Sequence, residues 1–354
     1  MRTFTIQPLN KACMEACQLR VDNLTKPIYS LAQLEKIAVR LAGIYNVEQP
    51  NHISNSVLIF AGDTAVDGMQ NHTKGQESLQ AVTRLGSGHS ATEAAARKLK
   101  ASVHIVDVGL EQSTETVSGV INKKVAPGAK FFGKGPAMTV AEMEDALEVG
   151  FAMAKELASK GVQAVALGNV GERTLLSALA VTAAITQYPM MELLTDNECT
   201  LSIQEKAERL TATLARYELT PEKPLQILQC VGSLDIAAMV GFYLGAAENR
   251  LAVVFDNAVT GAALLVAHAI NPAVMDFVFQ SAAYNEPVHK AQMKFLEISP
   301  YLYYNLEIDE ALGSVMGLSV VDAALHMLND MKTFGEATVT VAEDGPGNKR
   351  QDGR

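Results

Sequence analysis

Five short and nearly uninterrupted apolar runs constrain the fold of this 354-residue chain more than any other feature of its sequence. Each run is followed by a segment long enough to form a helix. The runs are SVLIFAGD (56–63), SVHIVDVG (102–109), VQAVALGNVG (162–171), LAVVFDNA (251–258) and DFVFQSA (276–282). Runs of Val, Ile and Leu of this length are typical of parallel strands that are buried on both faces. The alternation of strand and helix therefore predicts an α/β fold, a three-layer sandwich around a parallel sheet.

A polar residue lies near the end of each run. These residues are Asp63, Asp107, Asn169, Asp256 and Ser281. The carboxyl ends of parallel strands open onto one crevice, so functional groups are expected to gather there. Polar residues also end strands for purely structural reasons, which leaves a turn role open for each of them.

The stretch 301–322, YLYYNLEIDEALGSVMGLSVVD, has three carboxylates directly before a predicted helix. Glu307, Asp309 and Glu310 fall within four residues. Like charges crowded into a partly desolvated loop raise one another's pKa, and a carboxylate with a raised pKa can act as a general base. The segment ALGSVMG that follows supplies small residues, among them Gly313, that let a ligand approach the backbone. The alternative is that these acids face solvent and are favoured by the helix dipole.

Composition and charge narrow the class of partner. The chain is 48% hydrophobic and has a formal net charge of −10, with no basic stripe interleaved with aromatic residues. Nucleic acid is therefore not expected as a partner, and a small-molecule ligand is favoured. The four cysteines form no CxxC pair and the seven histidines form no HExxH motif, so neither a disulfide framework nor a metal site is predicted.

The N-terminus and the most apolar window bear on localisation. The first residues, MRTFTIQPLNKACMEAC, lack the pattern of a signal peptide. The window LAVVFDNAVTGAALLVAHAI is interrupted by Asp256, Asn257 and His268, which favours a buried strand and helix over a membrane span. We therefore expect no membrane contact and a cytoplasmic location.

The segments outside the five runs suggest how the chain is divided. Apolar residues at helical spacing over 31–42 predict a helix with Ser30 as its N-cap, and the polar stretch at 46–55 is typical of a linker. Residues 64–90 contain a helical centre between glycines. Residues 110–142 look like a long Gly-, Pro- and Lys-rich loop, and loops of that length are usually functional.

Several stretches, in one order and at one spacing, make the chain from about residue 20 to 332 resemble one family, the nicotinate-nucleotide:dimethylbenzimidazole phosphoribosyltransferases. The stretches are KPIYSLAQLE (26–35), SVHIVDVG (102–109), GPAM (135–138), MVGFYLGAAENRLAVVFDNAVTGAAL (239–264) and ISPYL with Glu310 (298–310). The resemblance implies a dimer whose active sites are completed by the neighbouring subunit. The implied reaction converts nicotinate mononucleotide and an aromatic base into the α-riboside phosphate and nicotinate, with no metal or cofactor.

The resemblance also implies a division of the chain and a set of site residues. The expected parts are a Rossmann-like large domain (51–290), a small helical domain from both chain ends (1–50 and 291–335) and a polar tail (336–354). Glu310 matches the general base of the family, which accepts a proton from the attacking base. The candidate substrate-binding residues are Gly171, Arg173, Thr174, Lys26, Lys206, Asp256, Ser281 and Gly313.

The chain departs from the family at both loops that would carry the chemistry. Where the family has Gly-Glu-Gly-Ser-Gly around the base, residues 309–313 read DEALG. The family's phosphate loop, Gly-Glu-x-Gly followed by Asn-Thr-Thr, corresponds to residues 169–176, NVGERTLL. Glu172 there is expected to repel a phosphate dianion, which Arg173 would offset in part.

These departures favour a subunit that supports a catalytic paralogue in a heterodimer. The chain is most similar in this respect to the second, degenerate subunit of the two-subunit phenol and p-cresol phosphoribosyltransferases. Two alternatives remain open. The chain is itself a transferase with Glu310 as base and Arg173 on the phosphate, or it is a non-catalytic ligand-binding protein.

Overall fold

The computed structural model describes residues 4–51, 53–65, 75–194, 203–304, 306, 308 and 310–338. Its centre is a six-stranded, all-parallel sheet with the strand order β3-β2-β1-β4-β5-β6. The strands are β1 (Asn55–Gly62), β2 (Ser102–Gly109), β3 (Val120–Asn122), β4 (Ala164–Val170), β5 (Ala252–Phe255) and β6 (Val278–Gln280). The direction of the strand order reverses between β1 and β4, as it does in Rossmann-like sheets. All five predicted strands are present.

The prediction that 110–142 is a loop was wrong for two segments. Val120–Asn122 forms β3, which pairs in parallel with Ile105–Asp107 at the edge of the sheet, and a helix begins at Val140. A three-residue strand between Gly and Lys residues has no apolar run that a sequence pattern can detect. The pairing places Asn122, at the end of β3, beside Asp107 near the carboxyl end of β2.

Fourteen α-helices and one 3₁₀ helix are found among the described residues. They are α1 (Lys11–Asn23), α2 (Gln33–Tyr45), α3 (Gln76–Gly86), α4 (Ala91–Lys98), α5 (Val140–Ser159), α6 (Thr174–Thr186), α7 (Met190–Leu193), α8 (Ile203–Arg216), α9 (Pro224–Val231), α10 (Leu234–Glu248), α11 (Ala258–Ile270), the 3₁₀ helix Pro272–Phe277, α12 (Pro287–Phe295), α13 (Leu312–Asp330) and α14 (Phe334–Ala337).

Helices cover both faces of the sheet. On one face, the ring of Phe60 in β1 meets that of Phe242 in α10 edge-on, with 6.2 Å between centroids. Phe60 pairs with Asn169 in β4, so the preceding Gly168 points to the opposite face. There it lies directly under Ala311, the residue before α13. The three-layer α/β fold is thus confirmed.

The N-terminal helices α1 and α2 pack on one another, and α2 packs on α13. Ser30 is not the N-cap that the sequence suggested: α2 begins at Gln33 after Ala32, which has φ 45° and makes no side-chain cap. Glu35 in the first turn instead accepts a hydrogen bond from Leu31 N at 2.9 Å. Because α13 also contacts β4 and β5, the division into a large and a small domain stays a prediction.

Helix α13 is long and apolar enough to span a membrane by length and composition. However, 56% of its apolar window is buried inside the protein, and the helix lies on the central strands. A core helix of a globular protein passes the same test of length and composition, so this helix is weak evidence for a membrane span.

Candidate active site

A crevice was expected between β1 and β4, where the strand order reverses. Direct hydrogen bonds between the loop after β1 and the loop after β4 bridge it. Thr64, after β1, donates from its backbone N–H to Glu172 O at 3.1 Å. Glu172, after β4, donates from its N–H to Asp63 Oδ1 at 2.8 Å. Gly171 is pressed against the same strand end, since a Cβ atom there would lie 1.8 Å from Gly62 O. A glycine at 171 is therefore required by the contact of two backbones.

Asp63 joins three loops at this point. Its carboxylate is fully buried and also accepts from Ser78 Oγ at 2.6 Å and from Glu111 N at 2.8 Å. With the bond from Glu172 N, three protein donors converge on one carboxylate and satisfy its oxygens without a ligand. The strand-end position of Asp63 was predicted correctly, and its observed contacts are structural.

Arg173 begins the helix α6 from the left-handed region, at φ 66°. Its guanidinium lies 2.8 Å from Glu172 Oε2 and 3.3 Å from Glu111 Oε1, and its Nε donates to Thr64 O. The side chain of Arg173 is only 13% exposed. Two carboxylates thus surround one cation beside a third carboxylate, Asp63, and this excess of negative charge disfavours a phosphate dianion.

A buried polar network links this loop to the next strand. The side-chain amide of Asn169 donates to Thr174 Oγ1 at 3.3 Å and to Asp235 Oδ2 at 3.5 Å. Asn257, at the start of α11, donates in turn to Asn169 Oδ1 at 3.0 Å. The candidate residue Thr174 is buried, so its hydroxyl belongs to this network.

Asp235 is the residue of this network that the sequence reasoning missed. Its carboxyl is fully buried, and burial raises its pKa to about 7, partly opposed by the hydrogen bond from Ser233 and reinforced by the charge of Asp63. A raised pKa beside a strand end is typical of functional sites, although structural networks show it too. The signal available in the sequence was the pair Ser233–Asp235 at the start of an apolar helix.

Asp256, Gly313 and Ser281 lie together where α13 begins. Asp256 Oδ2 accepts from Ser314 N at 3.0 Å, so the carboxylate occupies the positive end of this helix. A Cβ atom at Gly313 would lie 2.9 Å from Asp256 Cβ and 2.9 Å from Tyr284 Oη. The space that Gly313 was expected to leave for a ligand is therefore filled by side chains of this chain. Ser281 is buried against Gly317 in the same helix.

Glu310 precedes α13 in a strained turn and is mostly buried. It has φ 43°, and the next residue, Ala311, has φ 62°. The carbonyl of Glu310 accepts from the buried Thr92 hydroxyl at 2.7 Å. Its carboxylate forms an ion pair with Arg84 of α3. The expected carboxylates Glu307 and Asp309 lie outside the described residues, so the crowding of three acids stays a prediction.

The two candidate lysines have different outcomes. The ammonium of Lys26 is buried and forms an ion pair with Glu35 at 2.9 Å, with both side chains 4% exposed. It supports the start of α2 and is not a surface lysine. The side chain of Lys206, on α8, lies outside the described part of the structure, and its role stays a prediction. Within the described ranges, no cluster of three or more His, Cys, Asp or Glu residues could hold a metal ion.

Comparison with known proteins identifies the family. Residues 6–339 match the family model described as phosphoribosyltransferase. The chain is 33% identical over 340 residues to the nicotinate-nucleotide–dimethylbenzimidazole phosphoribosyltransferase of Pseudomonas putida, covering 94% of this chain and 96% of that protein. The corresponding protein of Geobacter sulfurreducens is 33% identical over 339 residues, with the same shares covered.

A solved structure gives the same result. The nicotinate-nucleotide–dimethylbenzimidazole phosphoribosyltransferase of Thermus thermophilus superposes with a TM-score of 0.86 at 30% identity, covering 94% of this chain and 100% of that chain. By fold and family, the protein thus belongs to the α/β phosphoribosyltransferases. More narrowly, it belongs to the nicotinate-nucleotide–dimethylbenzimidazole phosphoribosyltransferase family, as its motifs indicated.

Proposed function

We propose that this chain is a subunit of a cytoplasmic phosphoribosyltransferase that activates the lower-ligand base of cobamides. In the proposed reaction, nicotinate mononucleotide and a phenolic or benzimidazole base give the α-riboside phosphate and nicotinate. The names of the relatives support this reaction. It needs no metal or cofactor, because nicotinate leaves from a ribotide that is already an activated pyridinium.

We further propose that the chain supports a catalytic paralogue in a heterodimer. The observation that carries this proposal is the position of Arg173 between Glu172 and Glu111. The cation that was expected to hold the phosphate already has two carboxylate partners. A phosphate dianion would have to compete with Glu172 and Glu111 for this cation, close to the buried carboxylate of Asp63, and like charges this near repel one another.

The surface beside Glu310 supports an interface with another subunit. Tyr303 is 80% exposed and Tyr304 43% exposed. Ile308, two residues before Glu310, is 36% exposed. Aromatic and aliphatic side chains exposed together are typical of protein–protein contacts. In this proposal the segments 1–50 and 291–335 close the active site of the paralogue.

A catalytic role for this chain is the second candidate, and the placement of Glu310 favours it. The carboxylate lies at the carboxyl-end edge of the sheet, directly before α13, and its backbone is held by Thr92. In that case Glu310 would accept the N–H or O–H proton of the attacking base while the glycosidic bond to nicotinate breaks. For phenol, the oxygen that loses the proton forms the new bond to the ribose carbon. For a benzimidazole, the proton leaves one ring nitrogen, and the other ring nitrogen, which carries the free lone pair, forms the new bond.

The test is to purify this chain alone and together with its closest genomic paralogue. Nicotinate release from nicotinate mononucleotide is then measured with dimethylbenzimidazole and with phenol. We expect release only from the mixture, and the same rate when this chain carries Glu310→Gln. Turnover by this chain alone that Glu310→Gln abolishes would establish the catalytic alternative. No release from any combination would contradict both.

A further inference from the structure

Glu310 is held in place by its own backbone. Glu310 and Ala311 both have positive φ, at 43° and 62°, a strained conformation that residues with a side chain rarely adopt. Three contacts maintain it: the Thr92 hydroxyl binds the carbonyl of Glu310, Ala311 lies against Gly168, and Val315 N donates to Ala311 O at 2.9 Å. The backbone that carries the Glu310 side chain is therefore fixed, and the side chain itself is mostly buried.

Arg84 is the movable member of the ion pair. Its side chain is 52% exposed, whereas that of Glu310 is 10% exposed. It extends from the last turn of α3, where its three-carbon stem leaves the guanidinium free to take other rotamers in solvent. A buried, anchored carboxylate is thus covered by an exposed and flexible cation.

We propose that Arg84 acts as an autoinhibitory cover of Glu310. In contact with the carboxylate, the guanidinium occupies an acceptor site that the N–H of an aromatic base would need. Movement of Arg84 into solvent exposes Glu310 to the base. Arg84 thus affects base binding through Glu310 and does not itself bind the base. The proposal rests on the proposed function only in taking an aromatic base as the ligand.

This cover is distinct from the arrangement at Arg173. Arg173 has two carboxylates and a backbone carbonyl around it and is 13% exposed, so it cannot leave without breaking several buried contacts. Arg84 can leave by exchanging its ion pair for water, because its own side chain is half exposed. Opening a pair that reaches solvent costs less than breaking one in which both partners are buried. Removing Arg84 should therefore change ligand binding without unfolding the protein.

The experiment is a double-mutant cycle read by isothermal titration calorimetry of the whole chain with dimethylbenzimidazole. The variants are Arg84→Met, Glu310→Gln and the two combined, with Arg97→Met as the control. Arg97 is an exposed arginine on α4 that bonds to Gly88 O. We expect Arg84→Met to bind the base about tenfold more tightly, the double variant to lose that gain, and Arg97→Met to match the wild type.

Three results would contradict the proposal that Arg84 covers Glu310. They are an unchanged or weaker affinity in Arg84→Met, a gain that persists in the double variant, and no binding by any form. Arg84→Lys keeps the charge but loses the planar fork, so an affinity between those of the wild type and Arg84→Met is expected. Thermal unfolding of each variant confirms folding. Because the titration uses neither nicotinate mononucleotide nor a paralogue, its outcome is independent of the heterodimer assay.

Discussion

Two arginines bind glutamates at the carboxyl-end edge of the sheet, and they do so in opposite ways. Arg173 lies inside the loop after β4, between Glu172 and Glu111, and is largely buried. Arg84 reaches Glu310 from the surface of α3 and is half exposed. In the first contact, the carboxylates of this chain occupy the arginine that was expected to bind the phosphate. The second covers the candidate base from outside.

Because of this difference, the contact of Arg173 is expected to stay closed, whereas the contact between Arg84 and Glu310 can open and close. Removing a partner from a buried ion pair leaves an uncompensated charge, whereas an exposed pair exchanges readily with water. The loop after β4 is therefore held by buried contacts within this chain, whereas the Glu310 carboxylate is held by one partner that reaches solvent. The experiments below test this contrast.

The largest expected effect comes from removing Arg173. Arg173→Met leaves Glu172 and Glu111 without their cation next to the buried Asp63, and we expect the free energy of unfolding to fall by about 3–5 kcal/mol. The matched variant Arg84→Met removes a half-exposed partner from one mostly buried carboxylate and should lower it by about 1–2 kcal/mol. Urea denaturation followed by circular dichroism measures both. An equal loss of unfolding free energy in Arg173→Met and Arg84→Met would show that the two ion pairs do not differ in this way.

A smaller effect is expected from the close contact of the two loop backbones. Gly171→Ala would place a Cβ atom 1.8 Å from Gly62 O, and relieving that overlap should cost about 3 kcal/mol of stability, at the upper end for overpacking. Gly335→Ala is the control, because nothing lies within 4 Å of its added Cβ. It should lose no stability in the same denaturation experiment. A tolerated alanine at 171 would mean that the loops separate easily.

The smallest expected effect is the pH dependence contributed by Asp235. Burial raises its pKa to about 7 from the ordinary value of 3.8. Between these values the folded protein keeps a proton that the unfolded chain has released, so stability is greatest below pH 4 and falls as the pH rises through 7. This group alone should lower the free energy of unfolding by about 2 kcal/mol between pH 5 and pH 7.

The variant Asp235→Asn isolates that contribution. An amide at 235 still accepts from Ser233 but does not titrate, so its unfolding free energy should fall less between pH 5 and pH 7. Asp145→Asn, at an exposed position on α5, serves as the control and should keep the slope of the wild type. An identical slope for Asp235→Asn and the wild type would show that Asp235 is already ionised at pH 5.

Local patterns in the sequence predicted the elements well where the pattern was long. The five apolar runs became β1, β2, β4, β5 and β6, and the helix over 31–42 is α2. The three-residue β3 was missed because its strand pairing comes from the neighbouring β2 and not from its own composition. The cap at Ser30 failed because Ala32 turns into the left-handed region before the helix starts.

The strand-end residues lie at the edge of the sheet that the sequence predicted, but their contacts were not predicted. Asp63, Gly171 and Arg173 do meet where the strand order reverses. Gly313 was expected to admit a ligand, and the structure instead places Asp256 and Tyr284 against it. Spacing along the chain cannot reveal such contacts, because they join residues from different strands and helices.

The sequence by itself determined the parallel α/β architecture, the family and the polar residues at the strand ends, because each follows from short-range apolar periodicity or from motifs read in order. Only the tertiary structure decided which charges meet. Arg84 and Glu310 are 226 residues apart in sequence, and Arg173 and Glu111 are 62 apart. Arg173 and Glu111 meet because parallel strands bring the loops that follow them to one edge of the sheet, whereas Arg84 and Glu310 meet between the end of α3 and the turn before α13.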